Sequence, residues 1–270
     1  MRNRSTHPSF RPGSRSVHGG RHELGQNFLI HRPTIRGIVD LVAATEGPIL
    51  EIGAGDGALT EPLASLGRDL TAIDIDEHRV RMLRQRLPEI RVERADALRH
   101  PLDRPVLVGN VPYHLTTPIL RRMLARSGWH HAILLTQWEV ARKRAGVGGA
   151  TMMTAQSAPW FEFALHGRVS ARHFRPMPSV DGGILGITRR ASPLVDARDR
   201  GRYDRFVRDM FTGAGGDLTA ILQRSAKLSR RTARMVLHGL GVADNALPRD
   251  LRPGQWAALW GEVSGRDHCG

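Results

Sequence analysis

Cysteine is nearly missing from this sequence: Cys269 is the single one. That excludes a disulfide framework and a thiolate metal site, so a reducing cytoplasm and no metal are expected. Long apolar runs are missing too. The stretches around Val106-Leu107-Val108 and Ile133-Leu134-Leu135 fall far short of the ~20 residues a bilayer-crossing helix needs, so no membrane partner is expected. Lysine is almost absent, with Lys143 and Lys227 its whole complement, and no acidic residue precedes Glu23.

What is present is arginine. Forty basic residues face twenty-six acidic ones, giving a net charge of +14 and a pI near 11.4 in 270 residues. Such an excess recruits polyanions, of which nucleic acid is the commonest. Residues 1–22 concentrate it in Arg2, Arg4, Arg11, Arg15 and Arg21, interrupted by Pro8, Pro12, Gly13, Gly19 and Gly20. The composition resembles a transit peptide, but the prolines and glycines preclude the amphipathic helix such a peptide needs. A disordered basic arm that touches phosphates is the expectation.

From about residue 31 the pattern alternates helix and strand. Strands are predicted at Pro48–Ile52, Leu70–Ile73, Ile90–Val92, Val106–Val108 and Ala132–Leu135. The helices between them fall near Ile35–Val42, Leu59–Leu66, Glu77–Leu87 and Pro118–Leu124. Units of this length predict a parallel sheet covered on both faces, closed by strands near Phe161–Leu165 and Gly183–Ile187. After Arg190 the composition shifts to short helices around Phe206, Leu218–Leu222, Met235–Leu240 and Trp256–Trp260. The plan is a basic arm (1–22), a large α/β domain (23–190) and a small helical domain (191–270).

Gly53-Ala54-Gly55-Asp56-Gly57-Ala58 follows the first predicted strand of the sheet and opens a helix. Glycines there let the backbone turn sharply and approach a ligand. Asp74 ends the next strand, where a carboxylate can accept from ribose hydroxyls. Asp96 ends the one after, within reach of an adenine amine or serving as a simple turn cap. The glycines and Asp74 suit an adenosine-containing ligand of either class, and Gly53, Gly55 and Ala58 also fit a dinucleotide-binding dehydrogenase.

The fourth strand ends in Gly109-Asn110-Val111-Pro112-Tyr113. The adenine N6 amine is a poor nucleophile because its lone pair is delocalised into the ring. Accepting hydrogen bonds from both amine hydrogens lets the nitrogen pyramidalise, and the Asn110 side-chain oxygen and the Val111 carbonyl can do so. Pro112 fixes the turn, and Tyr113 offers a ring for base stacking, contributing roughly 1–3 kcal/mol. A dehydrogenase has no use for this tetrapeptide here, so the order of motifs points to methyl transfer by positioning and electrostatics.

Together these residues resemble the rRNA adenine N6-methyltransferases, a group holding the Erm resistance enzymes and the small-subunit dimethyladenosine transferases. The similarity runs from about His22 to Arg190. It implies the class I, Rossmann-like α/β fold with a small C-terminal all-helical domain, and S-adenosyl-L-methionine as cofactor. Gln26-Asn27-Phe28-Leu29 is similar to the family's N-terminal cofactor motif. Gln26, Asn27 and Leu29 thereby join Gly53, Gly55, Asp74, Asp96 and Asn110 as implied cofactor-binding residues. Asp74 departs from the Glu of many relatives. Phe174-Arg175-Pro176-Met177-Pro178-Ser179-Val180 resembles a loop whose aromatic helps hold a flipped base, which implies Phe174 as a second face opposite Tyr113, or else a core phenylalanine.

Arg21-His22-Glu23-Leu24-Gly25, the stretch Gln137 to Arg144, and Gly148-Gly149-Ala150-Thr151-Met152-Met153 resemble actinobacterial Erm enzymes more than the housekeeping one. That implies an adenosine in the peptidyl transferase region of 23S rRNA, and resistance to macrolides, lincosamides and streptogramin B. A housekeeping 16S enzyme and a non-catalytic RNA-binding factor on the same fold stand as alternatives. For RNA contact the candidates are Arg121, Arg122, Arg142, Lys143 and Arg144, with Arg224, Lys227, Arg231 and Arg234 spaced as if on one helix face. A monomer is expected.

Overall fold

The computed structural model describes residues 27–243 and 245–265. The arm 1–22, Gln26 and Cys269 lie outside them.

Phe28–Leu29 forms a two-residue strand, β1. Helix α1 (Arg32–Ala43) follows with Pro33 in its first turn, where a missing N–H costs nothing. The main sheet begins with β2 (Ile49–Ile52), followed by α2 (Thr60–Ala64), β3 (Leu70–Asp74), α3 (Glu77–Arg86) and β4 (Arg91–Arg94). Then come β5 (Val106–Asn110), α4 (Thr116–Leu124), β6 (His131–Gln137), α5 (Trp138–Arg144), α6 (Met152–Ser157), β7 (Phe161–Val169), β8 (Phe174–Arg175) and β9 (Gly182–Arg189). Among the described residues four α-helices follow: α7 (Arg200–Thr212), α8 (Leu218–Ser225), α9 (Arg230–Gly239) and α10 (Pro253–Ser264).

Seven strands lie in the order β4-β3-β2-β5-β6-β9-β7. The pairs β2–β3, β2–β5, β3–β4 and β5–β6 are parallel. The two closing strands complete the sheet with the opposite sense: β9 inserts antiparallel between β6 and β7. Strand order reverses beside β2, between β3 and β5, and ligands of open α/β sheets bind outside the carboxyl ends at such a point.

Strands β2 and β5 are buried along nearly their whole length, as continuous apolar runs predict. On one face α1 and α2 pack Ile38, Val42 and Leu63 over Ile49 and Val106. On the other, a larger core runs from Leu50 and Leu107 through Trp129 and Phe161 into Tyr203, Trp256 and Trp260. The helical tail therefore shares its interior with the sheet. Tyr203 sits edge-on to both Trp160 and Trp260, and its hydroxyl donates to the Ala155 carbonyl at 3.0 Å.

Candidate active site

The carboxyl ends of β2, β3 and β5 surround a pocket of about 700 Å³, lined by Gly53, Gly55, Asp74, Asp96, Asn110 and Tyr113 among others. Its floor depends on close backbone approach. A Cβ on Gly109 would sit 2.2 Å from the Ile52 carbonyl oxygen, so only glycine lets β5 run this tightly against β2. Gly55 adopts φ +55, and the Phe28 ring lies over it.

Asp74 is buried and its two oxygens are aimed by backbone donors. Oδ2 accepts from Gly55 N–H at 2.8 Å and Oδ1 from Asp76 N–H at 2.9 Å. Burial raises its carboxyl above the ordinary value, and these N–H groups pull it part of the way back. Each oxygen keeps a lone pair for a further donor, which fits a pair of ribose hydroxyls. Asp96 caps its own turn, Oδ1 accepting from Leu98 N–H at 2.8 Å, while its side chain still lines the pocket. Beneath the glycine loop, Glu51 is fully buried. Burial pushes its carboxyl up to about 8; nearby Thr60 lowers it only in part, and Asp74 adds to the rise.

Asn110 ends β5, and its Nδ2 donates to the Asn27 carbonyl at 2.7 Å. That bond fixes which end of the amide meets the pocket: the nitrogen is tied back, so Oδ1 is left to accept. Val111 N–H donates to Leu135 O at 3.0 Å, which anchors the turn to β6. The Pro112 carbonyl is occupied by Leu115 N–H at 2.9 Å and by the Thr116 hydroxyl. The Val111 carbonyl is then the second acceptor that the turn can offer beside Oδ1. Tyr113 lines the pocket half-buried, its hydroxyl buried without a hydrogen-bond partner. Burial first, and Asp181 second, raise it to about 12.

Sequence reasoning missed Phe28, which forms one wall of the pocket. The Arg79 guanidinium stacks 4.0 Å above its ring and pairs with Asp56 and Asp76. The signal was the motif itself, in which Phe28 stands between two residues that were assigned to the cofactor. Strand alternation sends neighbours to opposite sides, so Phe28 faces the pocket and Leu29 the core. Leu29 therefore does not line the site with its side chain; it is buried among Ile38, Val169 and Phe174. Phe174 is corrected with it. As the register partner of Leu29 it is only 1% exposed and packs its ring end against Gly182, so it offers no face to a base.

The basic candidates divide. Arg121, Lys143, Arg231 and Arg234 are exposed. Arg122 instead binds the backbone carbonyls of Ala97, Arg99 and His100, which staples the loop after Asp96. Arg142 pairs with Glu139 and the Val147 carbonyl, and Arg144 donates to the Thr151 hydroxyl at 2.5 Å. The single basic helix face does not exist. Arg224 ends α8, Lys227 turns the chain at φ +52, and Ser229 starts α9 by accepting from Thr232 N–H.

Among the described residues no cluster of three His, Cys, Asp or Glu side chains could hold a metal ion. No helix among them is long and apolar enough to cross a membrane.

Comparison with known proteins supplies the lineage. Over 247 residues the chain is 49% identical to the mycinamicin-resistance protein MyrB of Micromonospora griseorubida, covering 90% of this chain and 78% of that one. An rRNA adenine N-6-methyltransferase of Corynebacterium diphtheriae is 49% identical across 76% of this chain and 83% of its own. The crystal structure of the 23S rRNA methyltransferase ErmE superposes with a TM-score of 0.80 at 36% identity, covering 88% of this chain and all of that one. The ribosomal RNA adenine dimethylase model matches residues 17–263, and the chain belongs to that family.

Proposed function

We propose that this protein methylates the N6 amine of an adenosine in the peptidyl transferase region of 23S rRNA, using S-adenosylmethionine. The modification obstructs macrolide, lincosamide and streptogramin B antibiotics. The observation that supports the chemistry most directly is the Asn110 amide tied by its nitrogen to the Asn27 carbonyl. The 23S target rests on the relatives, among them a mycinamicin-resistance protein and a 23S rRNA methyltransferase.

The pocket residues fit the cofactor. Asp74, aimed by the Gly55 and Asp76 amides, suits ribose hydroxyls. Asp96 and the apolar walls of Ile75 and Ala97 suit an adenine ring, and Asn27, Phe28 and Gly53 close the opposite end. Bound there, the cofactor supplies an electrophilic methyl group. The protein's part is to place and tune the acceptor. Asn110 Oδ1 and the Val111 carbonyl accept from the two N6 hydrogens, which draws electron density onto the nitrogen. The Tyr113 ring stacks under the base and holds it square to the line of transfer. Formation of the nitrogen–methyl bond would be matched by cleavage of the methyl carbon's bond to the cofactor sulfur, which would leave as a neutral thioether; the acceptor nitrogen would then shed its proton to water, so no general base is required. A base must leave its stack to reach Tyr113, which favours an unpaired adenosine.

In this reading residues 23–190 bind cofactor and base, and residues 191–270 contribute RNA contacts. The protein works as a monomer in the cytoplasm. The test is methylation of protein-free 23S rRNA against 16S-containing small subunits, with the product mapped by reverse-transcription stops. Modification at one adenosine of the peptidyl transferase region is expected; modification confined to 16S rRNA would overturn the target.

A further inference from the structure

Arg79 stands where its own helix has no use for it. It is the third residue of α3, after the cap Asp76. The positive end of the helix dipole lies there, which favours a carboxylate and opposes a cation. Glu77 in the first turn and Arg84 and Arg86 in the last turn follow that rule, and Arg79 breaks it. The surroundings of its guanidinium explain the exception. It pairs with Asp56 of the glycine loop, lies 3.5 Å from Asp76, and sits 4.0 Å above the centre of the Phe28 ring. Its side chain is 16% exposed, whereas that of Asp56 is 62% exposed. An ion pair with so exposed a partner contributes little, while a cation shielded from water over a ring contributes more. The ring contact therefore dominates.

Phe28 lines the cofactor pocket and Arg79 stands behind it. The segment that carries Phe28 is held by its backbone. β1 pairs with β8, Ile30 N–H donates to the His173 carbonyl at 2.9 Å, and the Asn27 carbonyl accepts from Asn110. None of these bonds orients the ring. One edge of the ring rests on Gly55, where a Cβ would lie 3.0 Å from Phe28 Cε1. Arg79 covers a face of the same ring, so side chain and glycine loop are held together from outside the pocket. The support comes from the turn whose Asp76 N–H also donates to Asp74. Ring, glycine loop and the carboxylate suited to ribose thus share one anchor.

We propose that Arg79 is a positioning residue for the cofactor: acting through Phe28, it fixes one wall of the pocket and so sets the affinity for S-adenosylmethionine and its product S-adenosylhomocysteine. The proposal rests on the cofactor reading of this pocket given above. The test is calorimetric titration of S-adenosylhomocysteine into the full chain, which uses no RNA, so a wrong ribosomal target cannot mimic its failure. Arg79→Met should weaken binding roughly tenfold. Arg79→Lys keeps a cation without the planar stack and should recover part of that loss. Phe28→Leu removes the ring and should weaken binding at least as much as Arg79→Met. In Arg79→Met/Phe28→Leu the loss should not exceed that of Phe28→Leu alone, because Arg79 then has no ring to act on. Losses that add to roughly a hundredfold would overturn the proposal.

Two further readouts separate positioning from support of the helix. The Tm of the cofactor-free protein should be little changed in Arg79→Met, since the cation opposes the dipole of α3. A marked fall in Tm would make the residue structural and sink the idea. In methylation assays KM for S-adenosylmethionine should rise roughly tenfold, with kcat at saturating cofactor held within about twofold. A fall in kcat with KM unmoved would place Arg79 in the transfer step and contradict the assignment. Arg81→Met, at an exposed position of the same helix, should keep the wild-type affinity; an equal loss there would show a general effect of charge. A wild-type protein that binds no S-adenosylhomocysteine would overturn the cofactor assignment of the pocket, and this proposal with it.

Discussion

At the scale of single residues, the Asn110–Asn27 hydrogen bond separates orientation from mere presence of an amide. Asn110→Ala removes both the acceptor and the tie. A fall in kcat of about 10²–10³-fold is expected, with RNA affinity little changed, as judged by single-turnover assays and direct binding. Asn110→Asp keeps acceptor oxygens but sets a carboxylate against the Asn27 carbonyl, so it should not rescue the rate. A pH effect belongs to Glu51. Its folded carboxyl titrates near 8 against an ordinary value of 4.5. Below about 4.5 both states hold the proton, so no difference exists. As pH rises from there toward 8 the unfolded chain ionises while the native carboxyl stays neutral, and stability is lost across that window. Glu51→Gln, neutral throughout, should leave Tm unchanged at pH 4.5 and raise it at pH 8. Equal shifts at both pH values would show that the carboxyl is not the cause.

At the scale of elements, the short antiparallel clip of β1 against β8 does two jobs: it buries Leu29 and Phe174 together and turns Phe28 and the Asn27 carbonyl toward the pocket. Phe174→Leu should therefore lower stability by about 1–2 kcal/mol in urea unfolding without the loss of RNA affinity expected of a stacking residue. Gly109→Ala attacks the packing of β5 on β2 and should be worse, since the obstacle is backbone. A cost above about 3 kcal/mol, or failure to fold, is expected; a variant of wild-type stability would contradict the packing described. The repeated strands and helices of the α/β part were legible because each buries a continuous or periodic apolar face. So was the succession of Gly53, Asp74, Asp96 and Asn110, since parallel strands bring their carboxyl ends to one edge. The β1–β8 clip was not legible. Two residues have no periodicity, and their pairing spans the whole α/β segment. The break at Lys227 was equally hidden, because arginine spacing across a turn mimics a helix face until Ser229 is recognised as a cap.

The whole molecule raises a different question, how far the sheet and the helical tail are separate bodies. Composition alone divides them near residue 190, and the short α6 and the aromatic pairing that bridge them give no local signal. In the folded chain Tyr203 of α7 lies between Trp160, just before β7, and Trp260 of α10, with its hydroxyl bonded to Ala155 of α6. Gln156 reaches the backbone carbonyl of Asp204 at 2.8 Å across the same seam. One apolar cluster runs through both parts. Burying an aromatic of this size stabilises by roughly 1.5–3 kcal/mol, and several do so here, so the tail cannot leave without exposing the sheet face under it. The expected outcome in calorimetry is one transition, with van't Hoff and calorimetric enthalpies equal. Tyr203→Ala should lower that single Tm without splitting it, and should be felt at both ends of the seam by hydrogen exchange in α6 and α10. Two transitions in the wild type, or protection lost in α10 alone, would mean that the shared core does not couple the parts.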